Sequence, residues 1–344
     1  MKKIREKCVA LLSAMLIAAC ASSLISCSDD DGGNDNGSYA WSINTDNKIT
    51  GGSISCSPDL STNTVTVYPT ANPGYTLETI TVTKESGEVM NVAKNSDGVY
   101  SFTAPKGEFT VSATFKENSD VAVATGTASV GDIVLSDGMR ISASDALKMS
   151  PAQVGKAVAV VFYSGSSSDL LGEKTLAVGL KISDRLNWSS KYADGKENVE
   201  TIRCEPSAYG KDTAPTATFT GDTDGSDNWS ALCEAVSDED DASEYPAWTW
   251  ANQYASNNSL PGDFASGWYM PTVAELCALY REKSKVNESI VALGGKELKQ
   301  IFWTSSQSTK ENAAYFAWLV RFDNGTIGDE TKSSGCNVCV VRAL

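Results

Sequence analysis

The chain has 344 residues and no histidine, and its 43 aspartates and glutamates outnumber 28 lysines and arginines, leaving a formal net charge of −15. The missing imidazole excludes Ser-His-Asp and Cys-His nucleophilic sites, histidine-ligated metals and histidine acid-base chemistry. The acidic balance argues against nucleic acid and polyanionic glycans as partners, because both are held mainly by cationic side chains, and leaves a neutral sugar, a protein or a cation open.

Lys2, Lys3, Arg5 and Lys7 precede a largely apolar stretch over 8–28, the charged start and apolar middle of an export signal. Ser13, Ser22, Ser23 and Ser26 interrupt that stretch, which is therefore not the run of about 20 apolar residues that spans a membrane. Its end, Leu24-Ile25-Ser26-Cys27, resembles the lipobox of bacterial lipoproteins. The resemblance implies a signal peptide over 1–26 and acylation of the Cys27 thiol. Ile17-Ala18-Ala19-Cys20 also fits, but a cut there leaves an apolar tail and a spare thiol. Ser28-Asp29-Asp30-Asp31-Gly32-Gly33 is similar to the surface-export tract of Bacteroides-type lipoproteins, and its composition also suits a plain solvated linker. Residues 27–38 form an acidic flexible tether on either reading. The expected location is the outer membrane, lipid-anchored and facing the cell exterior.

From 39 to 117 the pattern has period two. Thr64-Val65-Thr66-Val67-Tyr68, Thr79-Ile80-Thr81-Val82, Val99-Tyr100-Ser101-Phe102 and the run 109–115 alternate apolar with polar residues between Gly-containing turns. This predicts a small all-β module with one buried face. Gly51-Gly52-Ser53-Ile54, Asn72-Pro73-Gly74-Tyr75, Tyr100-Ser101-Phe102-Thr103-Ala104-Pro105 and Val111-Ser112-Ala113-Thr114-Phe115, in that order, resemble the internalin B-type repeat of bacterial surface proteins. The resemblance implies a β-grasp-like spacer or adhesion module.

Over 120–344 strands and helices mix. Ile133-Val134-Leu135, the continuous apolar run 157–163 and Leu176-Ala177-Val178-Gly179-Leu180 predict strands, the second buried on both faces. Trp229, Leu232, Cys233 and Val236 recur at helical spacing, and Pro246 opens a helix with Ala247, Trp250, Ala251 and Tyr254 on its face. Thr272 and Glu275 form a capping box ahead of Val273, Leu276, Cys277 and Tyr280, and Asn287 is read as the cap of a short helix ended by Gly294-Gly295. Phe302-Trp303-Thr304, the run 317–322 and the run 338–342 predict strands, with Asp323-Asn324-Gly325 as a hairpin turn. The fold class expected for the whole is two domains in series: a small all-β, β-grasp-like module followed by an α+β domain.

Gly267-Trp268-Tyr269-Met270-Pro271-Thr272 with Glu275-Leu276, then Phe302-Trp303-Thr304-Ser305-Ser306, Ala317-Trp318 and the terminal Val341-Arg342-Ala343-Leu344, resemble the domain shared by the Legionella collagen-like adhesin C-terminus and the Fibrobacter succinogenes major paralogous proteins. The resemblance implies a C-type-lectin-like fold over 120–344, related to the formylglycine-generating scaffold. Cys339 stands where the family often has an arginine, so no site built on that residue carries over.

Trp268, Trp303 and Trp318 are candidate platforms for sugar or cation, with Asp323 and Asn324 in the adjoining turn; core rings are the competing reading. Asp222, Asp224 and Asp227 place three carboxylates in a glycine-containing loop, a weak calcium candidate against a solvated turn that caps the Trp229 helix. Cys336 and Cys339 offer a loose redox or metal pair, and two others, Cys233 and Cys277, fall on apolar helix faces, so several buried thiols are expected. Together these features point to a non-catalytic, adhesin-like surface lipoprotein without a cofactor, binding an extracellular glycan or protein. A structural subunit of a surface appendage or envelope complex is the alternative, and a cysteine-dependent enzyme on a formylglycine-generating-like scaffold the third.

Overall fold

The computed structural model describes residues 41–190, 198–236, 244–309 and 313–344. Cys27, Cys20, the tether and the acidic run 238–241 lie outside these residues. The described chain parts into two compact units, one running to Asn72 and resuming over Thr76–Lys116, the other taking Pro73–Tyr75 with Glu117–Leu344.

The first unit contains seven strands: β1 (Trp41–Thr45), β2 (Gly52–Asp59), β3 (Thr64–Ala71), β4 (Tyr75–Lys84), β5 (Val89–Asn91), β6 (Tyr100–Thr103) and β7 (Gly107–Glu117). They form two sheets, β1-β7-β4-β5 and β2-β3-β6. Alternation turns one face of each sheet inward: Ile43, Ile80, Val82, Phe109 and Val111 from one meet Val65, Val67 and Phe102 from the other. Phe109 joins the two, edge-on to Phe102 at 5.7 Å and tilted against Trp41 at 5.6 Å. β1 runs parallel to β7, from Trp41 opposite Gly107 to Thr45 opposite Val111, while β2-β3, β3-β6 and β4-β5 are antiparallel.

In the second unit β8 (Ile133–Leu135), β9 (Arg140–Ile141), α1 (Pro151–Lys156), β10 (Ala157–Ser164) and β11 (Thr175–Gly179) come first. Short elements follow: β12 (Leu186–Asn187), β13 (Cys204–Pro206), β14 (Phe219–Gly221), α2 (Asn228–Ala235), α3 (Pro246–Asn252) and α4 (Tyr254–Asn257). Helices α5 (Val273–Arg281) and α6 (Lys283–Ala292) lead to β15 (Ile301–Gln307), β16 (Phe316–Arg321), β17 (Thr326–Thr331), β18 (Gly335–Cys336) and β19 (Val341–Ala343). The largest sheet, β19-β11-β10-β8-β9, has β10 at its centre, buried along Val158, Ala159, Val160, Val161 and Phe162 as its continuous apolar run predicts. A three-stranded sheet, β15-β16-β17, and two ribbons, β12-β18 and β13-β14, complete the unit.

The expected fold class does not hold. Nineteen strands spread over six small sheets among the described residues, and no helix exceeds ten residues. A β-grasp needs a helix across its sheet, whereas the first unit packs sheet on sheet with no helix among its described residues. The second unit does mix strands with small helices, but it distributes its strands over four separate sheets and not in the expected C-type-lectin-like arrangement. The division is also not a single cut, since Pro73–Tyr75 groups with the residues beyond Glu117. Alternation reports that each strand has one inward face and is silent about which strands share a sheet.

Locally the reading is closer. Pro246 starts α3 at its first turn, and Thr272 and Glu275 make both bonds of a capping box on α5. Asn287 departs from expectation: it lies inside α6, where its side-chain oxygen accepts the Leu298 N–H at 2.8 Å. The apolar run at 338–342 enters the sheet only from Val341, although the carbonyls of Val338 and Val340 accept N–H groups of Ser183 and Gly179. Among the described residues no helix is long and apolar enough to cross a membrane.

Phe109 is the joint between the sheets of the first unit, so Phe109→Ala is expected to destabilise that unit by about 3 to 5 kcal/mol. A urea melt of the full chain checks this, with the transition reported by Trp41 moving to lower urea.

Candidate ligand-binding cleft

The site begins with a carboxylate that has no access to water. Glu275 is fully buried in the first turn of α5. Its Oε2 accepts the backbone N–H of Thr272 at 2.9 Å and of Gly225 at 3.3 Å, and its Oε1 accepts the hydroxyl of Tyr269 at 2.8 Å. These bonds tie three segments together: the helix start, the 267–271 approach to it, and the loop carrying Asp222 to Asp227.

β15 supplies the matching half. Thr304, Ser305, Ser306 and Gln307 are completely buried, an unusual polar run for a strand interior. Each hydroxyl has a partner: Ser305 Oγ accepts the Asn228 side-chain N–H at 2.9 Å, Ser306 Oγ accepts the Val273 N–H at 3.0 Å, and Thr304 Oγ1 donates to the Trp318 carbonyl at 2.8 Å. The Gly-Trp-Tyr-Met-Pro-Thr and Trp-Thr-Ser-Ser segments singled out in the sequence therefore meet, through bonds that position backbone. Gly225 sits at the crossing point, where an added Cβ would lie 2.9 Å from the Met270 carbonyl and 3.1 Å from Glu275 Oε2. Only glycine leaves room there.

These segments wall a cleft of about 260 Å³. α2 contributes Trp229 and Ser230, α3 contributes Trp248, Ala251 and Asn252, the loop contributes Gly225 and Ser226, and the residues Gly267, Trp268, Tyr269 and Met270 close the far side. Trp229 is partly exposed and lies 6.1 Å from Trp248 at an interplanar angle of 32°. Trp248 is held from behind by Trp188, edge-on at 5.1 Å. The indole N–H of Trp248 is buried and donates to no group among the described residues, whereas that of Trp268 is committed to the Phe264 carbonyl at 2.8 Å. Tyr269 is the one ionisable side chain of the lining, and burial beside Glu275 pushes its hydroxyl far above the ordinary range.

The residues expected to form a site separate into different places. Trp303 and Trp318 are core rings, 0% and 1% exposed; Trp303 donates to the Leu186 carbonyl at 2.8 Å, and Trp318 lies 6.1 Å from Tyr209. Trp268 borders the cleft, mostly buried. Asp323 is exposed in the turn between β16 and β17, where Asn324 accepts the Thr326 N–H at 3.1 Å. Of the loop carboxylates, Asp222 is pushed up by burial. Burial also raises Asp224, but Lys174 at 2.8 Å and the Ser226 bonds outweigh it and hold that carboxyl below its usual range. Asp227 caps α2 by position. Among the described residues no three histidine, cysteine or carboxylate side chains gather in a way that could hold a metal ion. Cys336 and Cys339 are buried and unpaired, with thiols pushed by burial up to about 11 and about 12.

Trp229, Trp248, Ser226, Ser230 and Asn252 were missed as a site. In the sequence Trp229 is one position of a helical stripe, and the signal available is the density of tryptophans over 229–250 beside hydroxyl and amide side chains. In comparisons with known proteins, the chain matches no family model and no curated protein.

Complete burial pushes the Glu275 carboxyl up to about 7, although the Thr272 N–H and Tyr269 hydroxyl pull against the rise. A folded value above the ordinary 4.5 means that Glu275 contributes its stability fully below about pH 4.5 and loses it as pH rises through about 7. Glu275→Gln should therefore flatten the fall in melting temperature between pH 5 and pH 8, measured against wild type by scanning calorimetry.

Proposed function

We propose that this chain is a lipid-anchored protein of the outer membrane, facing the cell exterior, that binds an extracellular ligand in the cleft between Trp229, Trp248 and Trp268 and does not transform it. The observation that carries the reading is the lining itself: aromatic faces, three small polar side chains and no usable acid, base or nucleophile. Pockets of that composition orient a ligand by a few polar contacts and bind it by apolar area. The buried, protonated thiols of Cys336 and Cys339 weigh against cysteine chemistry. The basic N-terminus, Cys27 and the acidic residues after it support the anchor. The resemblance of its landmark order to the Legionella adhesin C-terminus and the Fibrobacter paralogous proteins is in keeping with a surface role.

Protease shaving of intact cells, with mass spectrometry of the N-terminus, tests the location: both units should be released and Cys27 should carry the acyl chains. Protection until the outer membrane is broken would turn the protein toward the periplasm. Binding is tested by presenting immobilised glycans and matrix proteins to cells bearing wild type or Trp229→Ala. The variant should bind at least about tenfold more weakly, a loss of ~1.4 kcal/mol.

A further inference from the structure

The terminal Val341-Arg342-Ala343-Leu344 stretch, one of the landmarks of the sequence, lines no part of the cleft. Resting on the reading that the cleft binds an extracellular ligand, we propose that Arg342 is a positioning residue of that site, fixing the Gly267–Trp268 wall from behind without touching what the cleft holds.

Two consecutive residues of β19 grip the two ends of that wall. Val341 exchanges backbone hydrogen bonds with Tyr269, its N–H donating to the Tyr269 carbonyl at 2.9 Å and its carbonyl accepting the Tyr269 N–H at 3.0 Å. The guanidinium of Arg342 takes the other end, where Nη1 donates to the carbonyls of both Asp263 and Ser266 and draws the 263–266 segment together. The same guanidinium lies over the buried Phe264 ring, 4.7 Å from its centroid. Phe264 in turn carries Trp268: its carbonyl accepts the Trp268 indole N–H at 2.8 Å, and the two rings are 6.4 Å apart. Guanidinium, Phe264 and Trp268 thus form one line of contacts that ends on the cleft. Gly267 completes it with a left-handed φ of 80°. An added Cβ there would lie 3.3 Å from Nη1, so the guanidinium packs against the bare backbone that turns the chain into the wall.

The placement is costly to the arginine itself. Its Nε is sealed from water with no acceptor among the described residues. Burial also holds the guanidinium below its ordinary pKa, against a smaller opposing effect of Asp263. What these costs secure is the position of the turn, and a binding wall must keep its place to within roughly 0.5 Å. Arginine suits the task because a planar, multidonor head can serve two carbonyls and stack on a ring together, which a lysine ammonium cannot. Trp229 and Trp248 stand on α2 and α3 and are stacked through Trp188, so loss of Arg342 should move one wall and leave the other.

The test uses the full chain in detergent with isotopically labelled tryptophan, and cells bearing the same variants. In Arg342→Met, which keeps the apolar length of the side chain, the Trp268 indole N–H should exchange with solvent about tenfold faster. The indole N–H of Trp303, bonded to the Leu186 carbonyl, should exchange as in wild type. Attachment of the variant cells to the immobilised glycans and matrix proteins held by wild type should fall about fivefold, and Arg342→Lys should recover little of it. If Arg342→Met melts well below wild type, Phe264→Leu decides in its place: it removes the ring under the guanidinium, does not line the cleft, and should give the same Trp268 signature with about a threefold loss of attachment. Wild-type attachment in these variants, with Trp229→Ala still defective, would overturn the role of Arg342 and leave the cleft as the binding site. So would loss of attachment with Trp268 exchange unchanged. Attachment that Trp229→Ala does not diminish, or that wild type lacks, would instead remove the cleft from binding and the role of Arg342 with it.

Discussion

A carboxylate sealed from water must find its hydrogen bonds inside the protein, and the second unit is arranged around that requirement at Glu275. Its two oxygens collect N–H and O–H groups from Thr272, Gly225 and Tyr269, so the helix start, the approach to it and the 221–227 loop are fixed by one side chain. An unmet acceptor at this depth would cost more than a typical hydrogen bond returns, which makes the three segments interdependent. The polar interior of β15 answers the same demand from the other side, giving hydroxyl partners to Asn228 and to the first N–H of α5.

Rigid placement of these segments lets α2 and α3 hold their tryptophans as cleft walls. The rings pack against one another in a chain, Trp188 on Trp248 and Trp248 on Trp229, and only the last retains an open face. The aromatic content of the unit thus has two uses, filling the interior at Trp188, Trp303 and Trp318 and forming a surface at Trp229. Their chemistry is the same, and depth alone separates the uses.

That difference marks how far the sequence could be read. Strands such as Thr64–Ala71 and Gly107–Glu117 were legible because alternation is a local signal, and the α5 start was legible because a capping box lies within four residues. Sheet membership was not, because whether Phe102 and Phe109 face each other across two sheets depends on long-range pairing that period-two patterning does not encode. The same limit applied to the candidate site. Trp303 and Trp318 sit in runs with strand character, and nothing in those runs distinguishes a ring pointing into a core from one lying on a wet face. The buried hydroxyls of 304–306 read as a motif, and their role in positioning backbone became visible only with their partners.

The parallel pairing of β1 with β7 has a mechanical meaning. These are the first and last strands among the described residues of their unit, aligned from Trp41 beside Gly107 to Thr45 beside Val111. Tension entering before Trp41 and leaving after Glu117 pulls the two strands lengthwise past each other, loading their hydrogen bonds all at once. An antiparallel arrangement of the same strands would let the bonds part singly, like a zipper. Pulled at its two ends, the first unit therefore resists as a shear clamp and not as a zipper.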